Sequence, residues 1–287
     1  MRMKIGLTFF PINPRFLFPL APLADELGYE SIWVGEHVVI PAETDCRHPY
    51  APELGPPLPG TPLYDPLIIY GYIAGQTRRL RLGTSIYLLA LRHPVMAARL
   101  AVTLDIISGG RLILGVGAGW LREEFEVQDI PWERRGARMD EAIAVMRRLW
   151  SEESVAHEGE FYNFPSVGFA PKPIGGAVPI HIGGDTPPAL RRAARTGDGW
   201  IGVTCTPGEA AEKVRQLHAM RESGQPLEIT VTCEAIPTLD EVLRFRDAGV
   251  NRLTFGGRLL SGGGRTIEAM TGGLRRFGED VIARLAG

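Results

Sequence analysis

The residues best suited to chemistry in this chain are few, and each follows a stretch that reads as a β-strand. His37 comes directly after Ser31-Ile-Trp-Val-Gly-Glu36. With an ordinary pKa near 6.5, such a histidine serves as a neutral donor to an anionic or carbonyl group, or as a general acid or base. It equally serves as an anchor for the loop behind it. Gly183-Gly184-Asp185-Thr186, followed by Pro187, is a glycine turn entering a helix, where backbone amides at the positive end of the helix dipole favour an anion. Turns of this kind also occur without a ligand. Asp185 would repel a phosphate, so it is expected to turn outward and cap the helix. Gly115, Gly117 and Gly119 leave backbone bare where something flat can lie, and with Ala118 and Trp120 they close another strand. Ser85, Ile86 and Tyr87 end a further strand, and Arg258 follows the last.

Other polar residues read as structural. No Ser-His-Asp order, no paired carboxylates and no metal-ligand spacing stand out. His93, His157 and His181 are expected to be structural. Arg134, Arg135, Arg138, Arg147 and Arg148, with Glu133 and Glu141 at ion-pair spacing, predict a solvated helix face, and Arg191, Arg192 and Arg195 predict another. Asp198 reads as a turn residue.

The elements that must position these groups alternate strictly. Strands are predicted at Lys4–Phe10, Ser31–Glu36, Arg81–Leu89, Arg111–Gly119, Val178–Gly184, Gly199–Thr204, Leu227–Glu234 and Arg252–Gly256. Helices are predicted between them, from about Phe18 to Gly28, from the Asp65-Pro66 cap to Thr77, over Val95–Ile107, across most of Leu121–Trp150, and from Thr186-Pro187 to Arg195. Two more start at the capping boxes Thr206–Glu209 and Thr238–Glu241, and Thr266–Leu285 closes the chain. Two connections exceed the usual few residues. Val38–Pro66 is dense in proline and is expected to form a lid as far as Tyr64, and Ser151–Gly176 carries aromatics, with a hairpin hinted at Glu160–Phe164.

Eight strand–helix units of about 36 residues favour an α/β fold of the (β/α)8 TIM-barrel type, with insertions after strand 2 and between helix 4 and strand 5. No composition shift marks a boundary, so one domain is expected over residues 1–287. A dinucleotide fold would place Gly-x-Gly-x-x-Gly after the first strand, where this chain has Pro11-Ile-Asn-Pro14. An apolar content of 45%, a charged content of 22% and a net charge of −2 are those of an ordinary globular protein and give no electrostatic case for nucleic acid. No apolar run is long enough for a membrane span and no signal peptide is visible. Cys46, Cys205 and Cys233, odd in number and widely spaced, argue against a disulfide framework and for a reducing cytoplasm.

The segments LGTSIYLLALRHP, LDIISGGRLILGVGAGW and IHIGGDTPPALRRAARTGDGW resemble the luciferase-like flavin and deazaflavin oxidoreductases, above all the branch dependent on coenzyme F-420 (F420). The resemblance is strong from Ile5 to Trp200 and weak beyond. It implies a TIM barrel, a deazaflavin cofactor with flavin mononucleotide (FMN) as the alternative, and His37 beside cofactor or substrate. It also implies the phosphate at Gly183, Gly184, Asp185 and Thr186, the ring against Ser85, Ile86, Gly117, Ala118 and Gly119, and a non-proline cis peptide at Ser85-Ile86. Asp105, Ser108 and Arg111 match a family signature but lie where stability is the expected role. Where the family's sugar-phosphate dehydrogenases carry a glutamate after the glycine turn of the fourth strand, this chain has Trp120. Hydride transfer to or from a small apolar or aromatic substrate is therefore expected, with Trp120 and Arg258 at the substrate pocket. The alternatives are a reduced-FMN monooxygenase supplied by a separate reductase, and a flavin-binding barrel without catalysis. A homodimer is expected.

Overall fold

The computed structural model describes residues 3–11, 13–49, 57–203, 205–222, 224–264 and 266–285. The parallel strands are β1 (Lys4–Phe9), β2 (Ser31–Val34), β3 (Arg81–Thr84) with a short continuation β4 (Tyr87–Leu88), and β5 (Leu112–Gly117). After an antiparallel hairpin, β6 (Ser154–Glu158) and β7 (Asn163–Gly168), come β8 (Ile180–Gly183), β9 (Gly199–Gly202), β10 (Glu228–Cys233) and β11 (Arg252–Gly256). The sheet runs β3-β2-β1-β11-β10-β9-β8-β5-β4, and pairing of β3 with β5 closes it into a barrel of eight strand positions. Strands covered on both sides read as unbroken apolar runs, and all six residues of β5 are buried.

The helices are α1 (Pro14–Glu26), α2 (Pro66–Gln76), α3 (Pro94–Ser108), α4 (Arg122–Glu126), α5 (Arg135–Ser151), α6 (Pro187–Thr196), α7 (Pro207–Met220), α8 (Leu239–Asp247) and α9 (Ile267–Phe277). Asp65 caps α2 by accepting from the amides of Leu67 and Ile68, and both capping boxes form. Gly109, at φ +69°, ends α3 in the left-handed conformation that costs glycine least. Among the described residues no helix is long and apolar enough to cross a membrane, and no group of three or more His, Cys, Asp or Glu side chains is placed to hold a metal ion.

Several elements differ from the sequence reading. Helix α1 begins at Pro14 under an Asn13 cap, four residues before the expected start near Phe18, and continues through Pro19 and Pro22 to Glu26. The third strand is broken at Ser85-Ile86, and the Leu121–Trp150 region is two helices. Glu160–Phe164 holds the hairpin's turn and the start of β7. Residues 50–56 of the long connection and the predicted strand end at Thr204 lie outside the described residues. Arg138 is buried, donating to the Pro131 carbonyl, and Arg192 binds Asp140 with little exposure, so neither is a solvated surface group. Asp198 is more than a turn residue, since it accepts from the Ile180 amide and from Arg147.

The lower barrel interior is polar. Arg252, without exposure, donates to both oxygens of Glu30 at 2.7 Å and to Glu228 at 3.0 Å. His181 lies beside Glu228 at 3.4 Å. Burial, with Arg252 nearby, pushes His181 down to about 3, whereas Arg252 holds the Glu228 carboxyl down at about 2 against its own burial. Above this layer Trp33, Ile113, Ile201 and Ile86 form a small apolar cluster.

Candidate functional site

The floor of the barrel mouth follows from the break in the third strand. The Ser85-Ile86 bond is cis, as expected, and Ile86 joins the inner apolar cluster. Its side chain occupies the space that a Cβ would need at both Gly117 and Gly183. At Gly115 that space belongs to the Thr84 carbonyl and Ile201. Gly115 and Gly117 therefore do not present bare backbone to a ligand, as the sequence suggested; they admit neighbouring groups, and Ile86 makes the surface.

His37 sits three residues beyond β2. Its Nδ1 lies 3.0 Å from Oε2 of Glu124, which is buried on α4, while Oε1 of Glu124 accepts from the Val38 amide at 2.6 Å. A carboxylate only accepts, so Nδ1–H donates to it, and the tautomer this selects for the neutral ring has its lone pair at Nε2. The rings of Phe10 and Trp120 stand edge-on to the imidazole with centroids 5.6 and 5.5 Å away, and His48 makes a T-shaped contact with Trp120 at 5.2 Å between centroids. A narrow hollow, too tight as it stands to admit a water molecule, is lined by Phe10, Glu36, His37, Pro62, Leu63 and Tyr64, with Gly35. The carboxylate in its wall is Glu36, which forms a two-pronged pair with Arg92 at 2.8 and 2.9 Å. Arg92 in turn lies 3.9 Å over the Tyr87 ring.

The glycine turn is clamped from beneath. Gly184, at φ +114°, donates its amide to the Ile201 carbonyl at 3.2 Å and accepts from the indole of buried Trp200 at 2.8 Å. Asp185 does not turn outward. It accepts from the Val203 amide at 3.0 Å and pairs with Lys213 of α7. Those partners satisfy the carboxylate better than the start of α6, where Pro187 and Pro188 carry no N–H. Thr186, the N-cap residue, makes no side-chain cap bond. Arg258 is exposed on the short 3-10 turn after β11, and Ala118 is half-buried beside Gly119, whose φ is +82°. Cys205 and Cys233 offer no nucleophile at neutral pH, because burial pushes their thiols up to about 11 and about 12.

Glu124 and Lys213 escaped the sequence reading, as did Phe10, Glu36, Tyr64 and Arg92 around His37. Glu124 adjoins Glu123, and only the rotation of α4 decides which carboxylate turns inward. Lys213 stands on a helix with no motif around it; being one of three lysines in a chain of many arginines was the one available signal.

Comparison with known proteins agrees with this geometry. Residues 6–242 match the luciferase-like monooxygenase family. An uncharacterised protein of Mycobacterium tuberculosis is 32% identical over 277 residues, covering 94% of this chain and 96% of that protein. An F420-dependent glucose-6-phosphate dehydrogenase of Amycolatopsis mediterranei is 31% identical over 225 residues, 76% of this chain and 62% of that protein. The structure of a monooxygenase from Streptomyces bottropensis aligns with a TM-score of 0.78 at 24% identity, covering 98% of this chain and 99% of that one. With a barrel of this topology and a family match across most of its length, the chain belongs to the luciferase-like monooxygenase family.

Proposed function

We propose that the protein is an oxidoreductase that transfers a hydride between coenzyme F-420 and a small, uncharged, apolar or aromatic substrate. The observation that carries this reading is the His37–Glu124 pair, set between the edges of Phe10 and Trp120 in the mouth that also holds the glycine turn. The residues suit a phosphorylated flat ring: Ile86 offers an apolar floor, and the turn at Gly183, Gly184, Asp185 and Thr186 leads into a helix start that no side chain caps. The similarity to an F420-dependent dehydrogenase favours the deazaflavin over FMN.

Hydride-donating or -accepting capacity belongs to the cofactor when bound. His37 manages the proton at the substrate oxygen, taking it at Nε2 during alcohol oxidation or giving it during carbonyl reduction, and Glu124 stabilises the imidazolium. Trp120, Phe10 and Tyr64 keep water from the reacting atoms. The hollow at His37 has no unpaired cation among its lining residues, which supports a neutral substrate over a sugar phosphate. Anaerobic assay of alkyl and aryl alcohols and carbonyls with the deazaflavin, followed by its absorbance, tests the reading. Turnover that His37→Ala lowers by about 10²- to 10⁴-fold is expected. Turnover only with reduced FMN, oxygen and a reductase would assign the monooxygenase instead, and binding without any turnover would assign a flavin carrier.

For the assembly, we propose a homodimer across α2 and α3. Every fully exposed position on these two packed helices is uncharged, including Ile68, Tyr72, Met96, Leu100, Ile106 and Ile107, and the half-buried Arg99 turns aside to the Ala170 carbonyl and the Phe169 ring. A two-fold interface brings each patch against its own copy, so an uncharged apolar face suits it and a charged one would repel itself. Light scattering is expected to give twice the chain mass, and Leu100→Glu to give the monomer; a monomeric wild type refutes the dimer. The three free cysteines suit a reducing cytoplasm.

A further inference from the structure

Resting on the deazaflavin reading, we propose that Lys213 is the counter-charge for the cofactor phosphate, and that Asp185 is the residue that positions it. A helix start normally offers several free amides to an anion, but α6 opens Thr186-Pro187-Pro188, and neither proline has an N–H. The backbone donors that remain are few, so an anionic phosphate at this turn gains from a side-chain cation. The neighbouring helix start is closed to it, because Thr206 and Glu209 cap α7 reciprocally.

Lys213 supplies that cation from the middle of α7. Its ammonium pairs with Asp185, at 25% side-chain exposure against 11% for the carboxylate, and lies 5.7 Å from the centre of the Trp200 ring. Trp200 donates to the Gly184 carbonyl and Val203 to Asp185, so the lysine is held against the residues that shape the turn. Asp185 thus has two opposed effects. It aims the ammonium at the turn, and its own charge, left unneutralised, would repel the phosphate.

That opposition gives the test. Dissociation constants are measured by fluorescence titration for coenzyme F-420 and for its phosphate-free deazaflavin nucleoside, on wild type, Lys213→Ala, Lys213→Arg and Asp185→Asn, with melting temperatures as the fold control. Lys213→Ala is expected to weaken F-420 at least tenfold and to leave the nucleoside within about twofold, while Lys213→Arg restores most of the loss. Asp185→Asn, which removes both the aim and the repulsion, is expected to weaken F-420 by less than Lys213→Ala does and to leave the nucleoside within about twofold. Equal weakening of both ligands by Lys213→Ala, or a loss in Asp185→Asn as large as in Lys213→Ala, would show that the pair merely holds the loop and would overturn the proposal. No loss in Lys213→Ala overturns it as well. Failure of the wild type to bind either ligand refutes the deazaflavin reading itself and is thereby distinguished.

Discussion

Nδ1 of His37 donates to a carboxylate, Glu124, that stands 87 positions further along the chain and has no side-chain exposure. The second oxygen of that carboxylate is taken by the Val38 amide, which fixes which atom of any replacement faces the imidazole. In Glu124→Gln the carbonyl would stay with Val38 and the amide N–H₂ would face His37. That reverses the histidine tautomer, leaving Nε2 protonated where alcohol oxidation needs a lone pair, and removes the carboxylate that stabilises the imidazolium in either direction. A loss of about 10- to 100-fold in kcat, with cofactor affinity within about threefold of wild type, is expected from steady-state kinetics and titration. An unchanged kcat would remove Glu124 from the machinery.

Arg252 is expected to be the most costly residue to replace in the lower barrel. Arg252→Met leaves Glu30 and Glu228 without the guanidinium that joins them. Urea unfolding is expected to show a loss of about 3–5 kcal/mol, the usual result of breaking a buried charge network by removing one partner. A loss under about 1 kcal/mol would mean that water or Lys4 compensates the carboxylates.

His181 makes stability depend on pH with a definite sign. Its folded pKa of about 3 lies below the ordinary 6.5, so between those values the unfolded chain binds a proton that the folded protein refuses. Stability is therefore full above pH 6.5 and falls as the pH drops toward 3, by at most about 1.4 kcal/mol per pH unit from this group. Glu228, held down at about 2, adds a loss of the same sign at lower pH, from about 4.5 downward. Urea midpoints between pH 7 and 5 are expected to decline in the wild type and to flatten in His181→Asn. Equal slopes in the two proteins would contradict this assignment.

Much of the barrel was legible because its signals are local. Asp65-Pro66, Thr206 with Glu209, and Thr238 with Glu241 each punctuate the chain with their own backbone chemistry, and each acts in the structure as the sequence suggested. What depends on distant partners was not legible. Arg138 and Arg192 look like surface residues in sequence, since an arginine is normally solvated, yet they are covered by groups that only the fold brings near. Asp185 was expected to face outward, away from a phosphate, and the lysine that holds it inward, Lys213, stands 28 residues on. At Gly117 the sequence showed a bare backbone, and the side chain that fills it, Ile86, comes from another strand end.

The central claim is that the barrel mouth takes a phosphorylated deazaflavin ring, and direct titration of the purified protein tests it most plainly. Oxidised and reduced coenzyme F-420 and FMN are titrated separately, with binding read by calorimetry. A Kd for F-420 in the low micromolar range or tighter, and below that for FMN, is the predicted result. Neither cofactor binding below about 100 μM, roughly −5.5 kcal/mol, would contradict the account.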